Sequence, residues 1–546
     1  MNGSLVNQDK RFSNFWLIAG LLCILLTVSM SRDIFRPFYG LHSWGESHPY
    51  WNARVHLNYG LGYTKGMMTK AVGNPPTEHP LRYLNHPQLQ ALIHTVFMAV
   101  LGTDEWTLRS VNIAMTVISL LIFLKILRDL LDDKTALLTG LLFCLLPLIG
   151  YFGTNYYMYP FALAAIWFYL VITGNLKNAP QPGRFHWTGL ALSLFFAIQI
   201  AWECFFFALA IGIHFVFRSL KNYIRKKQLP DFKLLAVLTI APLSSLLINI
   251  LVMTAGNGWD WSHFGKTFLW RSTTGEMQQH DWHAWFARLW EFAVINFTLP
   301  ILIIAITYLT IGQLLAFIEN KMNADNGQRP RQFPQFWLFL MIPVFQLFIL
   351  KGCLWQHQTW ERPLTFIVTI AAAQGIMLSG DLAKKIHKRL ADIVVLVLIG
   401  IILIASVKGT NHYYNIRWQS PNKIKMFQQL NSMIRPDKRL LSFEDFIVNQ
   451  GGEAKIPFIR PEIAWYLDRQ ITQATSLEEV EKYAETGLYP YYLIPNVPQL
   501  QPFIQQLQQR YKLENYIVGD PGELNDGKFY RAAMMNYLIF NLNSSK

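Results

Sequence analysis

The chain alternates long apolar runs with polar stretches that are rich in aromatic residues. A helix needs about 20 mainly apolar residues to cross a bilayer, and eleven runs approach that length. The first run follows Lys10 and Arg11 and has no small-residue cleavage site after it, so we expect a retained anchor with a cytoplasmic N-terminus. The pattern predicts spans near 15–30, 105–127, 135–152, 159–174, 187–202, 203–217, 234–255, 292–316, 335–352, 362–379 and 391–407.

One further apolar segment, 87–101, is shorter and begins with a proline, which the first turn of a helix tolerates. If it does not cross, every loop rich in Lys and Arg falls on the side of the N-terminus, as the positive-inside rule requires. We therefore predict an outer juxtamembrane helix here. The basic loops are 125–134, 175–186, 218–233, 317–333 and 380–390, and the opposite loops without Lys or Arg are 153–158 and 353–361.

The C-terminal part has a different pattern, in which helical periods alternate with short β-rich runs. The helical patterns lie at 424–434, 476–486 and 499–511, and the β-rich runs at 491–494 and 532–538. The fold class predicted is an all-α polytopic membrane protein with a small soluble α/β domain. The predicted boundaries are 1–408 for the transmembrane domain, with outer loops 32–104 and 256–290, and 409–546 for the soluble domain.

Composition supports a membrane protein. The chain is 52% hydrophobic and 15% charged, whereas soluble proteins carry about 25% charged residues. The formal charge is +14, but the part from Gly409 onward has 15 Lys and Arg against 14 Asp and Glu. Nearly all the excess therefore belongs to the apolar part, which indicates membrane orientation and not nucleic-acid binding. The four cysteines lie in or beside apolar segments, so they indicate neither a disulfide framework nor a zinc cluster.

The predicted topology collects the polar stretches on one face of the membrane. Loops that are distant in sequence then converge outside a helix bundle, which favours a membrane-embedded active site. A transporter would place its special residues near the midplane. The sequence has no P-loop, G-x-G-x-x-G, G-x-S-x-G or H-E-x-x-H motif.

Glu46 and Arg54 follow the first span in the first outer loop. A carboxylate close to the membrane can deprotonate an acceptor hydroxyl, and an Arg suits a phosphate. Either residue can equally belong to a solvated loop. Asn85 and His86 precede the juxtamembrane helix, whose free N–H groups attract anions, although a capping Asn before Pro is also ordinary helix-start chemistry. Glu203 lies between two apolar runs, where acids are costly and usually functional unless water reaches them.

Two further outer loops carry candidate residues. Loop 256–290 has six Trp and Arg271; it suits sugar stacking and phosphate binding, or an aromatic belt at the bilayer surface. His280 and His283 have an i, i+3 spacing that zinc also uses, but no further ligands are fixed by a motif. In the other loop, His357 suits a phosphate or glycan, and Glu361-Arg362 suits a helix-end ion pair.

In this order, the features resemble the GT-C superfamily of membrane glycosyltransferases, specifically the family 39 group of dolichyl-phosphate-mannose–protein mannosyltransferases and aminoarabinose transferases. The likeness covers most of the chain. It rests on an acid and an Arg eight residues apart after the first span, followed by Asn85-His86-Pro87, Gly102-x-x-Glu105-x-x-x-Arg109, Pro147, His357-x-x-Trp360, the segment 461–469 and Ser476-Leu477-Glu478-Glu479.

The resemblance implies a GT-C fold of about eleven spans and a polyprenyl-phosphate sugar donor. The donor's sugar is moved with inversion to a lipid, glycan or protein acceptor. Glu46 is then the base, and the partners are the donor, the acceptor and the bilayer, without nucleic acid. The residues implied to bind the donor phosphate or substrate are Arg54, Asn85, His86, Glu203, Arg271 and His357.

Two positions depart from the family pattern. Gly45 stands where many relatives have an Asp before the Glu, and Tyr159 stands where the second outer loop often has an acid. We therefore expect no cofactor and no metal; a divalent metal is the less favoured alternative.

Two other functions remain as alternatives: an oligosaccharyl or ligase-type transferase with a diphosphate-linked donor, or a non-enzymatic carrier or scaffold for lipid-linked glycans. The expected location is a bacterial plasma membrane, with the active site and the C-terminal domain outside the cytoplasm.

Overall fold

The computed structural model describes residues 2–78, 80–155, 158–176, 180–259, 262–269, 271–272, 281–314, 336–416, 421–444, 447–449, 457–459, 461–517 and 536–545. The chain forms two compact units. We call them the helical unit, which comprises 1–34, 109–251 and 264–413, and the mixed unit, which comprises 35–108, 252–263 and 414–546.

Helices dominate the described residues. They are α1 (Asn2–Met30), α2 (Ser43–Thr64), α3 (Leu89–Leu101), α4 (Glu105–Leu130), α5 (Asp133–Leu145), α6 (Pro147–Phe152), α7 (Pro160–Ile172), α8 (Arg184–Ile200), α9 (Cys204–Lys226), α10 (Phe232–Asn257), α11 (Ser262–Leu269), α12 (Trp282–Phe297), α13 (Leu299–Thr307), α14 (Phe336–Ile349), α15 (Lys351–Gln356), α16 (Leu364–Ile386), α17 (Lys388–Asn415), α18 (Pro421–Met433), α19 (Pro461–Leu467), α20 (Leu477–Glu485) and α21 (Gln501–Arg510). Short π and 3₁₀ turns lie at Tyr308–Gly312, Gln358–Glu361 and Pro498–Leu500.

Five of the described helices are long and apolar enough to cross a membrane: α4, α9, α10, α16 and α17. A sixth span arises if α12 and the segment Leu299–Gly312, which are bent by 109° at Thr298, count as one. The mostly helical, membrane-spanning architecture predicted from the sequence is confirmed at this level. The count of eleven stays a prediction, because several of the expected spans correspond to helices of fewer than 18 residues.

Prolines account for two of the shortened helices. The expected span 135–152 is divided between α5 and α6 because Leu146 is extended, with φ −65° and ψ 128°, before Pro147. At the bend after α12, Thr298 has a φ of 67°, and Pro300 removes a backbone donor in the first turn of α13. Hydropathy alone does not reveal such breaks, because the apolar run continues through them.

The helical unit packs through aromatic and small side chains. The ring of Phe366 lies 5.1 Å from that of Phe123 and 6.2 Å from that of Phe339. At Gly189, a Cβ atom would lie 2.3 Å from the ring of Phe168. Helices α7 and α8 therefore approach closely because this position has no side chain.

The mixed unit contains a five-stranded sheet in the order β6-β3-β7-β9-β8. Strand β3 pairs in parallel with β6 and β7, whereas β9 is antiparallel to β7 and β8. Two-stranded ladders join β1 to β2 and β4 to β5. The strands are β1 (Thr69–Lys70), β2 (Leu81–Arg82), β3 (Leu440–Ser442), β4 (Ile447–Asn449), β5 (Pro457–Ile459), β6 (Ile471–Gln473), β7 (Tyr491–Pro495), β8 (Tyr511–Ile517) and β9 (Tyr537–Ser545).

Most of the secondary structure predicted for the C-terminal part is confirmed. The expected helices are α18, α20 and α21, and the β-rich run 491–494 is β7. The other strand begins later than predicted, since β9 starts at Tyr537 and residues 532–535 lie outside the described residues. That this part is a separate soluble domain outside the cytoplasm stays a prediction.

Segment 35–108 and the C-terminal sheet share one hydrophobic core. Alternate strand residues face opposite sides of the sheet, and Leu493 packs with Tyr50 and Trp51 of α2, whereas Tyr492 packs on the other side with Leu507. Segment 35–108 and the C-terminal part therefore fold as one body, an association that the sequence analysis does not predict.

Helix α19 makes the most specific contacts with α2. The guanidinium of Arg54 in α2 donates to the carbonyl oxygen of Ala464 at 2.9 Å and lies 4.2 Å from the ring centroid of Trp465. The hydroxyl of Tyr466 accepts from the backbone N–H of Phe38 at 2.7 Å and donates to Glu105 Oε1 at 2.6 Å. The Arg54 contacts tie α19 to α2, and the Tyr466 hydrogen bonds tie α19 to the segment before α2 and to the start of α4.

We expect Trp465→Ala to destabilise the mixed unit, since replacement of a buried Trp by Ala typically costs about 3–5 kcal/mol. The matched control is Trp259→Ala, because Trp259 is 83% exposed. Thermal unfolding in detergent should show a lower midpoint for Trp465→Ala than for the control. Equal midpoints would contradict the packing role of α19.

Candidate active site

Glu46 lies in the first turn of α2. The helix begins after His42, whose φ of 60° turns the chain, and the Glu46 N–H donates to the His42 carbonyl oxygen at 2.9 Å. Its side chain is fully buried, at 0% exposure. The unpaired N–H groups of a helix N-terminus favour a negative charge at this position. The predicted base is thus a buried carboxylate at the start of a helix.

Three basic side chains gather around Tyr83, and we call His48, Lys70 and His86 the basic cluster. The ring of His48 lies 4.7 Å from the ring of Tyr83, and the ring of His86 lies 5.6 Å from it. The Nζ atom of Lys70 lies 5.0 Å from the same ring centroid. The other side of His48 stacks on Trp44 at 5.5 Å. The cluster is therefore a group of basic residues on an aromatic surface.

Burial weakens the proton affinity of His48 and Lys70 in this cluster. It lowers the pKa of His48 well below its usual value, and the nearby Lys70 and His86 lower that pKa further. Burial also lowers the pKa of Lys70, which is 5% exposed. An anion bound here would raise both pKa values, because it favours the charged forms. The electrostatics of the cluster therefore suit an anionic ligand such as a phosphate.

Lys70 and His48 are not among the site residues predicted from the sequence. Lys70 belongs to the two-residue strand β1, which pairs with β2 in the register Lys70↔Leu81. This pairing brings Lys70 to Tyr83, thirteen positions away in the chain. A strand of two residues is too short to show an alternation of hydrophobic and polar positions, so the sequence gives no sign of it.

Asn85 and His86 lie in a short turn before α3. Gln88 holds this turn, since its amide donates to the carbonyl oxygen of His86 at 2.6 Å and its Oε1 accepts from the N–H of Met68. Asn85 is 3% exposed. The structure brings His86 into the basic cluster, and both residues stay predictions as ligands.

Arg54 is occupied within the mixed unit by Ala464 and Trp465, as described above. These contacts give it a packing role at the α2–α19 contact. Its predicted role at a phosphate is not tested by them.

Glu203 precedes α9 in the helical unit and forms a buried ion pair. Its Oε1 accepts from Arg362 Nη2 at 3.1 Å, and the two side chains are 7% and 9% exposed. Arg362 Nε also donates to the Thr359 carbonyl oxygen at 3.1 Å, and its guanidinium carbon lies 5.4 Å from the ring centroid of Tyr159. Glu203 is therefore neither solvated nor isolated.

The suggested helix-end ion pair between Glu361 and Arg362 is corrected by these contacts. The two neighbouring side chains take different partners. Arg362 donates to Glu203, whereas Glu361 Oε2 accepts from Asn296 Nδ2 at 2.8 Å. Tertiary contacts from α9 and α12 decide which partner each residue takes.

His357 lies between α15 and the 3₁₀ turn Gln358–Glu361, and it is partly buried. Its N–H donates to the Cys353 carbonyl oxygen at 3.1 Å, and its own carbonyl oxygen accepts from the Trp360 N–H at 3.0 Å. Arg271 follows α11 and is partly buried. Both residues lie in the helical unit with Glu203.

The aromatic loop 256–290 is described only in part. Trp285 is fully buried and its indole N–H donates to the Lys351 carbonyl oxygen at 3.0 Å, whereas Trp259 is exposed. Trp261, Trp270 and His280 lie outside the described residues, so the zinc alternative is not tested. Among the residues that the structure describes, no three His, Cys, Asp or Glu side chains group as metal ligands do. The metal-independent mechanism stays a prediction.

Comparisons with known proteins agree with this architecture. Residues 85–248 match the family model of dolichyl-phosphate-mannose-protein mannosyltransferase. The crystal structure of ArnT from Cupriavidus metallidurans bound to undecaprenyl phosphate is similar, with a TM-score of 0.59 and 12% identity over 96% of this chain and 97% of that chain. No curated protein sequence matches the chain.

Oligosaccharyltransferase structures from Archaeoglobus fulgidus are also similar. AglB in complex with an inhibitory peptide and a dolichol-phosphate has a TM-score of 0.54 and 10% identity, over 94% of this chain and 74% of that chain. The enzyme tethered with an acceptor peptide has a TM-score of 0.53 and 9% identity, over 96% of this chain and 74% of that chain.

The fold is thus that of the GT-C membrane glycosyltransferases. The resemblance predicted from the sequence is confirmed at the level of the fold, and the apolar helices make the chain an integral membrane protein.

The Glu203–Arg362 pair generates a prediction about stability. Removal of one partner of a buried ion pair typically costs about 3–5 kcal/mol, because the other charge stays buried without compensation. We expect Glu203→Gln and Arg362→Met each to lower the thermal midpoint, and the double variant to lower it by less than the sum. The control pair is Arg435 and Asp437, which are 71% and 57% exposed. Purely additive effects at Glu203 and Arg362 would contradict the coupling.

Proposed function

We propose that the protein is an inverting glycosyltransferase. It moves a sugar from a polyprenyl-phosphate donor to an acceptor on the outer face of the membrane. The observation that carries this proposal is that α2 places a buried carboxylate, Glu46, two residues before His48 of the basic cluster. A general base for the acceptor and a basic side chain of the cluster proposed for the donor phosphate thus come from one helix. The match to the mannosyltransferase family model supports the reaction class.

In the proposed reaction, Glu46 takes the proton of the acceptor hydroxyl. The hydroxyl oxygen then attacks the anomeric carbon from the side opposite the phosphate, and the bond between that carbon and the phosphate oxygen breaks. The polyprenyl phosphate leaves with the bonding electrons, and the new glycosidic bond has the inverted configuration. Lys70 and His86 stabilise the negative charge that develops on the phosphate.

Several roles rest on the family resemblance. The residues that the resemblance implies as ligands of the donor phosphate or substrate are also Arg54, Asn85, Glu203, Arg271 and His357. No metal takes part in this scheme. We place the site outside the cytoplasm of a bacterial plasma membrane, with the N-terminus inside.

Similarity to oligosaccharyltransferases supports a second candidate, in which the donor is linked through a diphosphate. Competition between polyprenyl-phosphate and polyprenyl-diphosphate sugars for the purified protein separates the two. A carrier or scaffold would consume neither donor and would be indifferent to changes at Glu46.

We expect Glu46→Gln to lose transfer activity at equal folded yield, because a positioned base typically contributes about 10²–10⁴-fold to the rate. The assay follows labelled sugar from a panel of polyprenyl-phosphate donors in lipid. The matched control is Glu78→Gln, since Glu78 is an exposed acid in the same outer loop. Activity retained by Glu46→Gln would assign the base to another residue.

We expect Lys70→Met to weaken donor binding, because it keeps the length of the side chain but removes a charge from the basic cluster. Hydrogen bonds to charged groups contribute about 1.5–3 kcal/mol, so the donor KM should rise at least about tenfold. Lys65→Met is the control, because Lys65 is exposed five residues earlier. If the two variants have the same donor KM, Lys70 does not contact the donor.

A further inference from the structure

The outer turn that carries His357 is held by side chains from two other helices. Asn296 Nδ2 of α12 donates to the Gln358 carbonyl oxygen at 2.9 Å, and Gln346 Nε2 of α14 donates to the Trp360 carbonyl oxygen at 3.0 Å. Trp285 of α12 holds the preceding helix α15 through the Lys351 carbonyl oxygen. Each bond satisfies a backbone group of the loop, so the loop has a defined conformation.

Glu361 is the last residue of this turn, and its side chain binds the same Asn296 amide. Its side chain is 0% exposed, and its Oε2 accepts from the same Asn296 amide that holds Gln358. Asn296 Oδ1 in turn accepts from the Tyr413 hydroxyl at 2.5 Å. A chain of hydrogen bonds thus runs from α17 through Asn296 to both ends of the turn.

We propose that Glu361 is a positioning residue that acts through Asn296 to hold the turn 357–361 in the conformation that presents His357 to the donor. This inference rests on the proposed function, in which His357 binds donor. The sequence pattern alone indicates only a helix-end ion pair for Glu361.

The protonation of Glu361 follows from the same geometry. Burial raises the pKa of Glu361 well above its usual range, and the hydrogen bond from Asn296 offsets this only in part. Its Oε1 is buried and has no hydrogen-bond partner among the described residues. Tyr413 faces Glu361 through Asn296, and the ring of Tyr151 stacks on that of Tyr413 at 5.5 Å. A neutral carboxyl group suits this buried setting.

The test compares wild type, Glu361→Ala, Glu361→Gln, His357→Gln and the double variant Glu361→Ala/His357→Gln. Glu291→Ala is the matched control, because Glu291 is 54% exposed in the same unit. Donor KM and kcat are measured in lipid across a pH series, and hydrogen exchange is measured at the amides of 357–362.

We expect Glu361→Ala to raise the donor KM about tenfold, the effect of one lost buried hydrogen bond, with little change in kcat. The amides of Trp360 and Arg362 should exchange faster. Glu361→Gln still accepts from Asn296 and should match wild type at neutral pH. In the His357→Gln background, Glu361→Ala should add no further rise in KM, because a positioning residue acts only through the residue that it positions.

The pH dependence has a defined sign. The pKa of Glu361 is higher in the folded protein than in an unfolded chain, so rising pH destabilises the folded wild type. As the pH rises, we expect the thermal midpoint of wild type to fall relative to that of Glu361→Gln. The donor KM should increase with pH for wild type but not for Glu361→Gln.

Unchanged hydrogen exchange at the amides of 357–362 in Glu361→Ala would overturn the proposal. The proposal would also fail if the increases in donor KM caused by Glu361→Ala and His357→Gln multiply in the double variant. If no variant consumes a donor, the proposed function fails, and the exchange rates alone still decide whether Glu361 holds the turn. If Glu361→Ala does not fold, Tyr413→Phe is measured in its place. This variant removes only the hydroxyl group that donates to Asn296, at the far end of the series of hydrogen bonds. Faster exchange at Trp360 in that variant supports the proposal, and unchanged exchange overturns it.

Discussion

The packing of α19 against α2 is the contact on which the mixed unit depends. Two residues of α19 satisfy groups that are otherwise costly to bury: the Ala464 carbonyl oxygen accepts from Arg54, and the Tyr466 hydroxyl bonds both Phe38 and Glu105. Buried polar groups are tolerated only with such partners. Since Glu46 lies on α2, the same packing fixes the backbone from which the predicted base projects. The C-terminal part thus supports the first outer loop directly, and its sheet is part of the same core.

Buried charge recurs in both units and takes a different form in each. In the mixed unit, Lys70 and His48 are buried on an aromatic surface, where burial disfavours their charged forms. In the helical unit, Glu203 and Arg362 form a direct pair. Removal of either partner of the pair leaves the other charge buried without compensation, so we expect the pair to contribute to stability. An anion beside the basic cluster would favour the charged forms of Lys70 and His48, so we propose anion binding there.

Periodicity predicted the elements better than their ends. The long charge-free runs were correct as helices, and α18, α20 and α21 follow their predicted patterns closely. The runs that failed as single spans contain a proline or a residue with positive φ, such as Pro147 and Thr298, which breaks a helix without interrupting its hydropathy. Among the candidate site residues, Glu46 and His86 are visible in the sequence because they precede or begin helices. Lys70 could not, because its position depends on a two-residue pairing with a distant segment.

The sequence by itself determined that this protein lies in a membrane, that it resembles the GT-C glycosyltransferases, and which acids and basic residues are candidates. These conclusions need only local patterns: the length of apolar runs, the distribution of Lys and Arg, and the order of short motifs. The tertiary structure decided which residues pair and pack with one another. Arg362 pairs with Glu203, across 159 positions, and not with its neighbour Glu361, and the first outer loop shares its core with a sheet more than 300 residues later. Such contacts depend on how helices and strands pack, and in a single sequence nothing marks two distant residues as neighbours.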